Sequence, residues 1–178
     1  EGGFSHASEL VAFMRARYDF CIAAACYPEK HPGAPTADED LACLGRKVDA
    51  GTDFLITQLF FEARVYFALV EGVRALGVRV PINPGVMPIT NLSQIKRFTA
   101  LCGATIPAEL LARLEATGGE PEAVQRIGVA HATEQCRALL EGGAPGIHFY
   151  TLTRSPATRA ILPALRAARP WDRAVTLV

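Results

Sequence analysis

Short, almost continuous apolar runs alternate along the chain with segments whose apolar positions recur every three or four residues. Four runs read as strands: Asp19–Cys26, Phe54–Phe61, Val78–Gly85 and Gly146–Leu152, each bounded by Gly, Pro or a charged residue. Because they lack polar alternation, they suggest parallel strands covered on both faces. The segments between them carry helix start and stop chemistry. Thr36-Ala37-Asp38-Glu39 has the T-x-x-E form of a capping box, leads into Leu41, Leu44 and Val48 at helical spacing, and stops at Gly51. A second helix spans about Glu62 to Leu76, with Phe67, Val70 and Leu76 as part of its inward face and Gly77 as its stop. Asn91 caps a third, with Gln94 at the matching third position. Pro107 suits the first turn of a short helix, a longer one covers about Pro121 to Leu140, and Ser155-Pro156 is an N-cap followed by proline at the first helical position.

Strand and helix alternation of this kind means right-handed βαβ units on a parallel sheet, either doubly wound or part of a (β/α)8 barrel. Two features favour the barrel. No G-x-G-x-x-G follows the first strand, so the dinucleotide-binding fingerprint of a Rossmann fold is missing. Polar residues also appear where the strands end: Tyr27 after the first, Gln58 late in the second, Arg154 after the fourth. Barrel enzymes gather their active sites at that end. Four strands are half of the eight that a barrel needs. The fold class expected is therefore α/β, a TIM barrel of which the chain covers roughly the second half, with residues 1–178 as the C-terminal portion of one domain.

Composition narrows the partners. Half of the 178 residues are apolar, and 18 basic side chains balance 18 acidic ones. The chain can bury one sizeable core and has no field that would draw it to nucleic acid or an anionic membrane. No apolar run approaches the roughly 18 to 20 residues of a membrane span. The first ten residues lack a basic start followed by an apolar stretch, so no secretory leader is expected and the cytoplasm is the expected compartment. The chain opens at Glu1 and its pattern starts in mid-stride, as a fragment would. Five cysteines, with no C-x-x-C pair, suit neither a disulfide framework nor a zinc site.

The residues carrying chemistry admit plain readings when taken alone. Asp40 and Lys47, seven residues apart, point to the same side of the capped helix and suit a surface salt-bridge face. His31, between two prolines, suits a stiff turn. Gln58 interrupts an apolar strand, and a buried amide must find a partner or cost about 1–3 kcal/mol; a neighbouring backbone group would serve. Phe98 fits the apolar face of its helix. His131 in an amphipathic helix and His148 at a strand start read as structural.

Read as motifs, the same residues say more. Tyr27-Pro28-Glu29-Lys30-His31-Pro32, Arg46-Lys47-Val48-Asp49-Ala50-Gly51, Ile56-Thr57-Gln58-Leu59-Phe60-Phe61, Pro84-Gly85-Val86-Met87-Pro88 and His148-Phe149-Tyr150-Thr151-Leu152-Thr153-Arg154 resemble, in order and spacing, the signatures of the methylenetetrahydrofolate reductases. The match runs from about Ser5 to Arg154. It implies an FAD-dependent oxidoreductase of one-carbon and methionine metabolism, in which NADH or NADPH reduces the flavin and 5,10-methylenetetrahydrofolate is then reduced to 5-methyltetrahydrofolate at the same face. Carried over position by position, the resemblance assigns FAD contacts to His6, Ala7, Ala25, Tyr27 and His31, the ribose hydroxyls to Asp40, and the diphosphate to Lys47 with Arg46 as a second cation. It assigns substrate contacts to Gln58, Gln94 and Phe98, and the glutamate tail of folate to Arg154.

The general acid that opens the folate ring is, by the same resemblance, a Glu on the first barrel strand, outside this sequence. Glu29 matches a position that the family does not use for that role. No catalytic residue is therefore expected within the chain. Departures from the pattern are Gly45 inside the capped helix, Cys26 before Tyr27, and Thr153 where Asn is usual. Two other classes stay open: a non-catalytic half-barrel that binds flavin weakly or needs a companion chain, and an unrelated barrel lyase with a phosphate site at a helix N-terminus. An open half-barrel would expose apolar edges, so association into a homo-oligomer, or aggregation, is expected.

Overall fold

The computed structural model describes residues 3–152 and 156–174. Its elements follow in the order α1 (Ala7–Arg15), β1 (Ala23–Cys26), α2 (Ala37–Asp49), β2 (Phe54–Thr57), α3 (Ala63–Ala75), β3 (Ile82–Asn83), β4 (Gly85–Val86), α4 (Leu92–Cys102), α5 (Ala108–Glu115), α6 (Pro121–Glu141), β5 (His148–Phe149), α7 (Pro156–Ala168) and a closing 3-10 turn, Pro170–Arg173. Every pairing is parallel: β1 with β2, β2 with β3, and β4 with β5. The fold is therefore α/β with a parallel sheet, and no closed barrel is seen among the described residues.

The strands are shorter than the apolar runs. Continuous hydrophobicity reports burial, whereas a strand needs a paired neighbour, so Asp19–Ile22, Gln58–Phe61 and Tyr150–Leu152 lie outside the ladders although Leu59, Phe60 and Phe61 are buried. The third run divides at Pro84, which has no N–H to donate. Before it, Ile82 and Asn83 register with β2; after it, Gly85 and Val86 register with β5. The Pro84 carbonyl accepts from His148 N at 2.9 Å, so the chain changes partner at Pro84, from the three-stranded sheet to the two-stranded one.

Helix starts follow local chemistry. The Thr36 hydroxyl accepts from Glu39 N at 3.2 Å, and Asn91 Oδ1 accepts from Gln94 N at 2.8 Å. Pro107 sits one residue earlier than expected, as the N-cap of α5. The inward face of α3 is Tyr66, Leu69, Val70 and Val73; Leu76 is 51% exposed at the C-cap, a correction to the face drawn through it. These α3 residues pack with Leu44, Leu55, Ile82, Val86, Cys136 and Ile161 into the main core. A second cluster, centred on Ile89, Ile95, Leu114 and Val124, supports the connections beyond β2 and β4. No helix among the described residues is long and apolar enough to cross a membrane.

Candidate active site

Because all strands run parallel, their C-terminal ends face one side. The end of β1 delivers Tyr27 and the end of β2 delivers Gln58, while β4 and β5 lead into Met87 and Tyr150. Along β1, Ala24 and Cys26 turn into the core and leave Ala23 and Ala25 exposed on the opposite face. A small side chain there keeps that face open beside Tyr27.

Six of the residues assigned from the motifs come together at the ends of β1 and β2. The rings of Tyr27 and His31 meet edge to face, 4.5 Å apart at an interplanar angle of 76°. Asp40 Oδ2 accepts from His31 N at 2.9 Å, which ties the first turn of α2 to the loop after β1. Lys47, later on the same helix, donates its ammonium to the Ala25 carbonyl. Asp40 and Lys47 thus share a side of α2 but form no ion pair; each holds backbone at the end of β1 instead, which corrects the salt-bridge reading. Gln58 Oε1 accepts from Leu59 N at 2.9 Å, and its side chain acts on the Tyr27 phenol to oppose the rise in its pKa.

The electrostatics follow from partial burial. Desolvation holds the Lys47 ammonium below its usual pKa, against the opposing pull of Cys26, Asp40 and Cys43. Burial raises the Tyr27 phenol, with Cys102 and Asp40 adding to the rise and the Gln58 hydrogen bond opposing it. The Cys26 thiol is pushed up to about 12, chiefly by burial, and stays protonated and unreactive.

The other assigned residues stand apart. Arg46 is exposed and turns its guanidinium to Cys43 Sγ at 2.7 Å. His6 caps α1 and Ala7 opens it; the far end of that helix is fixed by Arg15 on Gly51 O and Asp53, at the start of β2. Among the described residues, no hydrogen bond or ring contact joins His6 or Ala7 to Tyr27 or His31. Arg154 and Ser155 lie outside the described residues.

Gln94 and Phe98 line a cavity of about 1200 Å³ beyond β4 and β5, where the chain enters α4, α6 and α7. Phe98 packs against the second core cluster as well, so it serves the core while also lining the cavity. Arg97, Gln125 and Tyr150 also line this cavity and were not singled out from sequence. Helical spacing offers a signal for Arg97, three residues after Gln94; nothing local marks Gln125. Tyr150 donates to the Thr57 carbonyl at 2.8 Å, while Thr57 Oγ1 accepts from Gly85 N at 2.8 Å. This knot joins the cavity wall to the end of β2. His131 Nε2 lies 2.9 Å from Phe61 O, a structural role.

The family model for methylenetetrahydrofolate reductase matches residues 1–166. The chain is 40% identical to methylenetetrahydrofolate reductase (NADH) 1 of Arabidopsis thaliana, over 97% of this chain and 32% of that protein. It is 42% identical to a probable methylenetetrahydrofolate reductase (NADPH) of Caenorhabditis elegans, over 89% of this chain and 24% of that protein. It is 33% identical to the 5,10-methylenetetrahydrofolate reductase of Pectobacterium carotovorum, over 90% of this chain and 54% of that one. Among solved structures, a Clostridium thermocellum protein described as binding two copies of 5-methyl-5,6,7,8-tetrahydrofolic acid superposes with a TM-score of 0.61 at 17% identity, over 93% of this chain and 59% of that chain, a likeness of fold. The chain thus spans between about a quarter and half of these curated relatives. On the extent of the family match and the identity to these relatives, it belongs to the methylenetetrahydrofolate reductase family.

Proposed function

We propose that this chain forms the C-terminal part of a (β/α)8 reductase barrel, in which bound FAD and residues at the strand ends reduce 5,10-methylenetetrahydrofolate to 5-methyltetrahydrofolate with NADH or NADPH. The observation that carries the reading is Lys47: a half-buried ammonium with depressed pKa, paired with a backbone carbonyl rather than a carboxylate, and set beside the Tyr27–His31 pair.

The donor set fits a flavin dinucleotide. A partly desolvated cation that forms no ion pair with a carboxylate among the described residues has much to gain from an anionic diphosphate. Asp40 supplies an acceptor for ribose hydroxyls about two turns away on the same side of α2, and Arg46 can swing from Cys43 to add a second charge. Exposed Ala25 leaves room for a planar ring system against Tyr27 and His31, with His6 and Ala7 closing from α1. Bound FAD would supply hydride exchange with each substrate in turn.

The chain's own residues bind and orient. Gln58, whose Oε1 is held by Leu59 N, can turn its amide N–H groups to the ring edge of whichever substrate lies against the flavin. Gln94 and Phe98 offer an amide and an aromatic face to the extended part of the folate, and Arg154 a guanidinium to its carboxylates. Proton donation to the folate is assigned to a residue outside this sequence.

The test is spectroscopic. FAD is added to the purified protein under anaerobic conditions, then NADH or NADPH, then methylenetetrahydrofolate. A flavin band that bleaches with the nicotinamide and returns with the folate is the expected result. A protein that takes up flavin without turnover would be a non-catalytic portion needing a companion chain, and one that never holds flavin would overturn the reading.

A further inference from the structure

The loop between β1 and α2 is held from two sides by carboxylates. Asp40 takes the His31 amide from below, on α2. Glu29, within the loop, reaches the opposite way: its Oε1 accepts from Thr105 N at 2.9 Å, in the connection between α4 and α5, across 76 residues of sequence. A second contact lies beside it. Gly103 ends α4 in a left-handed conformation (φ +73°), and a Cβ there would stand 3.2 Å from Pro32 Cγ and 3.6 Å from the Lys30 carbonyl. The loop therefore rests directly on the end of α4.

The same loop carries local strain. Lys30 has φ +100°, a backbone conformation costly for a side chain with Cβ and kept only where the surroundings impose it. Its ammonium folds back onto the Ala34 carbonyl at 2.5 Å and the His31 carbonyl at 3.2 Å. A strained loop bearing Tyr27 and His31 needs an external hold, and Glu29 reaches one. The turn it reaches follows α4, which carries Gln94 in its first turn and Phe98 further along.

We propose that Glu29 is a positioning residue whose carboxylate, on the Thr105 amide, locks the Tyr27–His31 loop to the turn that ends α4 so that the cofactor wall and the substrate wall of the site are set as one unit. This rests on the function proposed above for those walls. Thr105 is exposed, so water can replace the lost acceptor and the fold hardly registers the change. What loosens is the placement of Tyr27 and His31. The role also differs from acid catalysis, because only an acceptor oxygen is needed and a neutral amide supplies one.

The experiment compares wild type, Glu29→Ala and Glu29→Gln in the full native chain, reading Thr105 amide exchange, FAD affinity and folate kinetics. Glu29→Ala is expected to speed Thr105 exchange and weaken FAD binding, each about tenfold, the scale of one hydrogen bond to a charged acceptor, with the melting temperature little changed. Glu29→Gln should stay within about threefold of wild type in both. Unchanged exchange and FAD affinity in Glu29→Ala would overturn the proposal. So would a Glu29→Gln protein that keeps its flavin but loses turnover, since Glu29 would then be moving a proton. If wild type takes up no FAD, the proposed function fails, and Thr105 exchange by itself still decides for or against the lock.

Discussion

Lys47 spends its charge on a single carbonyl oxygen, the Ala25 carbonyl, in a partly desolvated place. Replacing it with Met keeps the length of the stem and removes the half-buried ammonium. We expect Lys47→Met to leave the free protein as stable or slightly more so, because an incompletely compensated charge is gone. The same change should weaken FAD binding by about tenfold to a hundredfold, the range of one charge-assisted hydrogen bond; a flavin titration followed by fluorescence checks it. His131 makes a complementary point at the level of pH. Burial lowers its pKa below the ordinary 6.5, with the Phe61 hydrogen bond opposing, nearby Arg113 adding and Glu62 opposing. The unfolded chain therefore takes a proton on His131 as pH falls through about 6.5 while the folded chain resists it. That contribution to stability is intact above 6.5 and is lost below it, toward the lower folded pKa. Melting temperatures measured between pH 7.5 and 5 should fall more for wild type than for His131→Gln, and equal slopes would remove His131 from the account. At this scale the sequence was informative where a motif names a residue type, as for Tyr27, His31, Asp40 and Lys47. It was silent where the partner is backbone brought in from afar, as for Glu29 on Thr105 or Tyr150 on Thr57.

Helix α6 approaches the chain after β4 so closely that a Cβ on Gly128 would stand 1.9 Å from the Ile89 carbonyl oxygen. No flexible side chain can give way there, because the obstacle is backbone. Gly128→Ala should destabilise the protein by about 2–3 kcal/mol or more, although alanine is the better helix former by about 1 kcal/mol. A control at Gly45, inside α2 with no atom within 4 Å of an added Cβ, should go the other way, gaining up to about 1 kcal/mol as Ala. Thermal melts of the two variants separate crowding from propensity. The contrast explains what was legible among the elements. Caps at Thr36 and Asn91 and stops at Gly51 and Gly77 were readable because their chemistry acts within a few residues. Close approach at Gly128 depends on which segment the fold brings against it. Strand ends failed for a related reason: Leu59, Phe60 and Phe61 are buried by helices and loops rather than by strand neighbours, and an apolar run does not distinguish the two.

The arrangement as a whole leaves one face of the sheet without a cover. Ala23 and Ala25 are exposed and Phe54 and Ile56 half-buried on the side away from the helices, and among the described residues β1 pairs only with β2 and β5 only with β4. Elsewhere on the surface, Phe4 and Phe13 lie with ring centroids 5.2 Å apart and Tyr18 and Phe20 stack at 5.3 Å. These four rings are between 37% and 53% exposed. Open strand edges and clustered apolar surface together favour association. In the barrel proposed here, further strands would pair with both edges and bury the open face, so the same surface is a scar in the isolated chain and a seam in the complete domain. Sedimentation of the 178-residue chain made alone should show a mass that rises above the 19.1 kDa monomer between about 5 and 100 µM, with strong binding of a hydrophobic dye. Phe13→Ser with Phe20→Ser should lower the dye signal yet leave association partly intact, because the strand edges remain. Adding a polypeptide that carries the rest of a relative's barrel should suppress both signals and yield one defined complex. A chain that stays monomeric and dye-free by itself would show that its open face is satisfied internally, and the seam would have to be sought elsewhere.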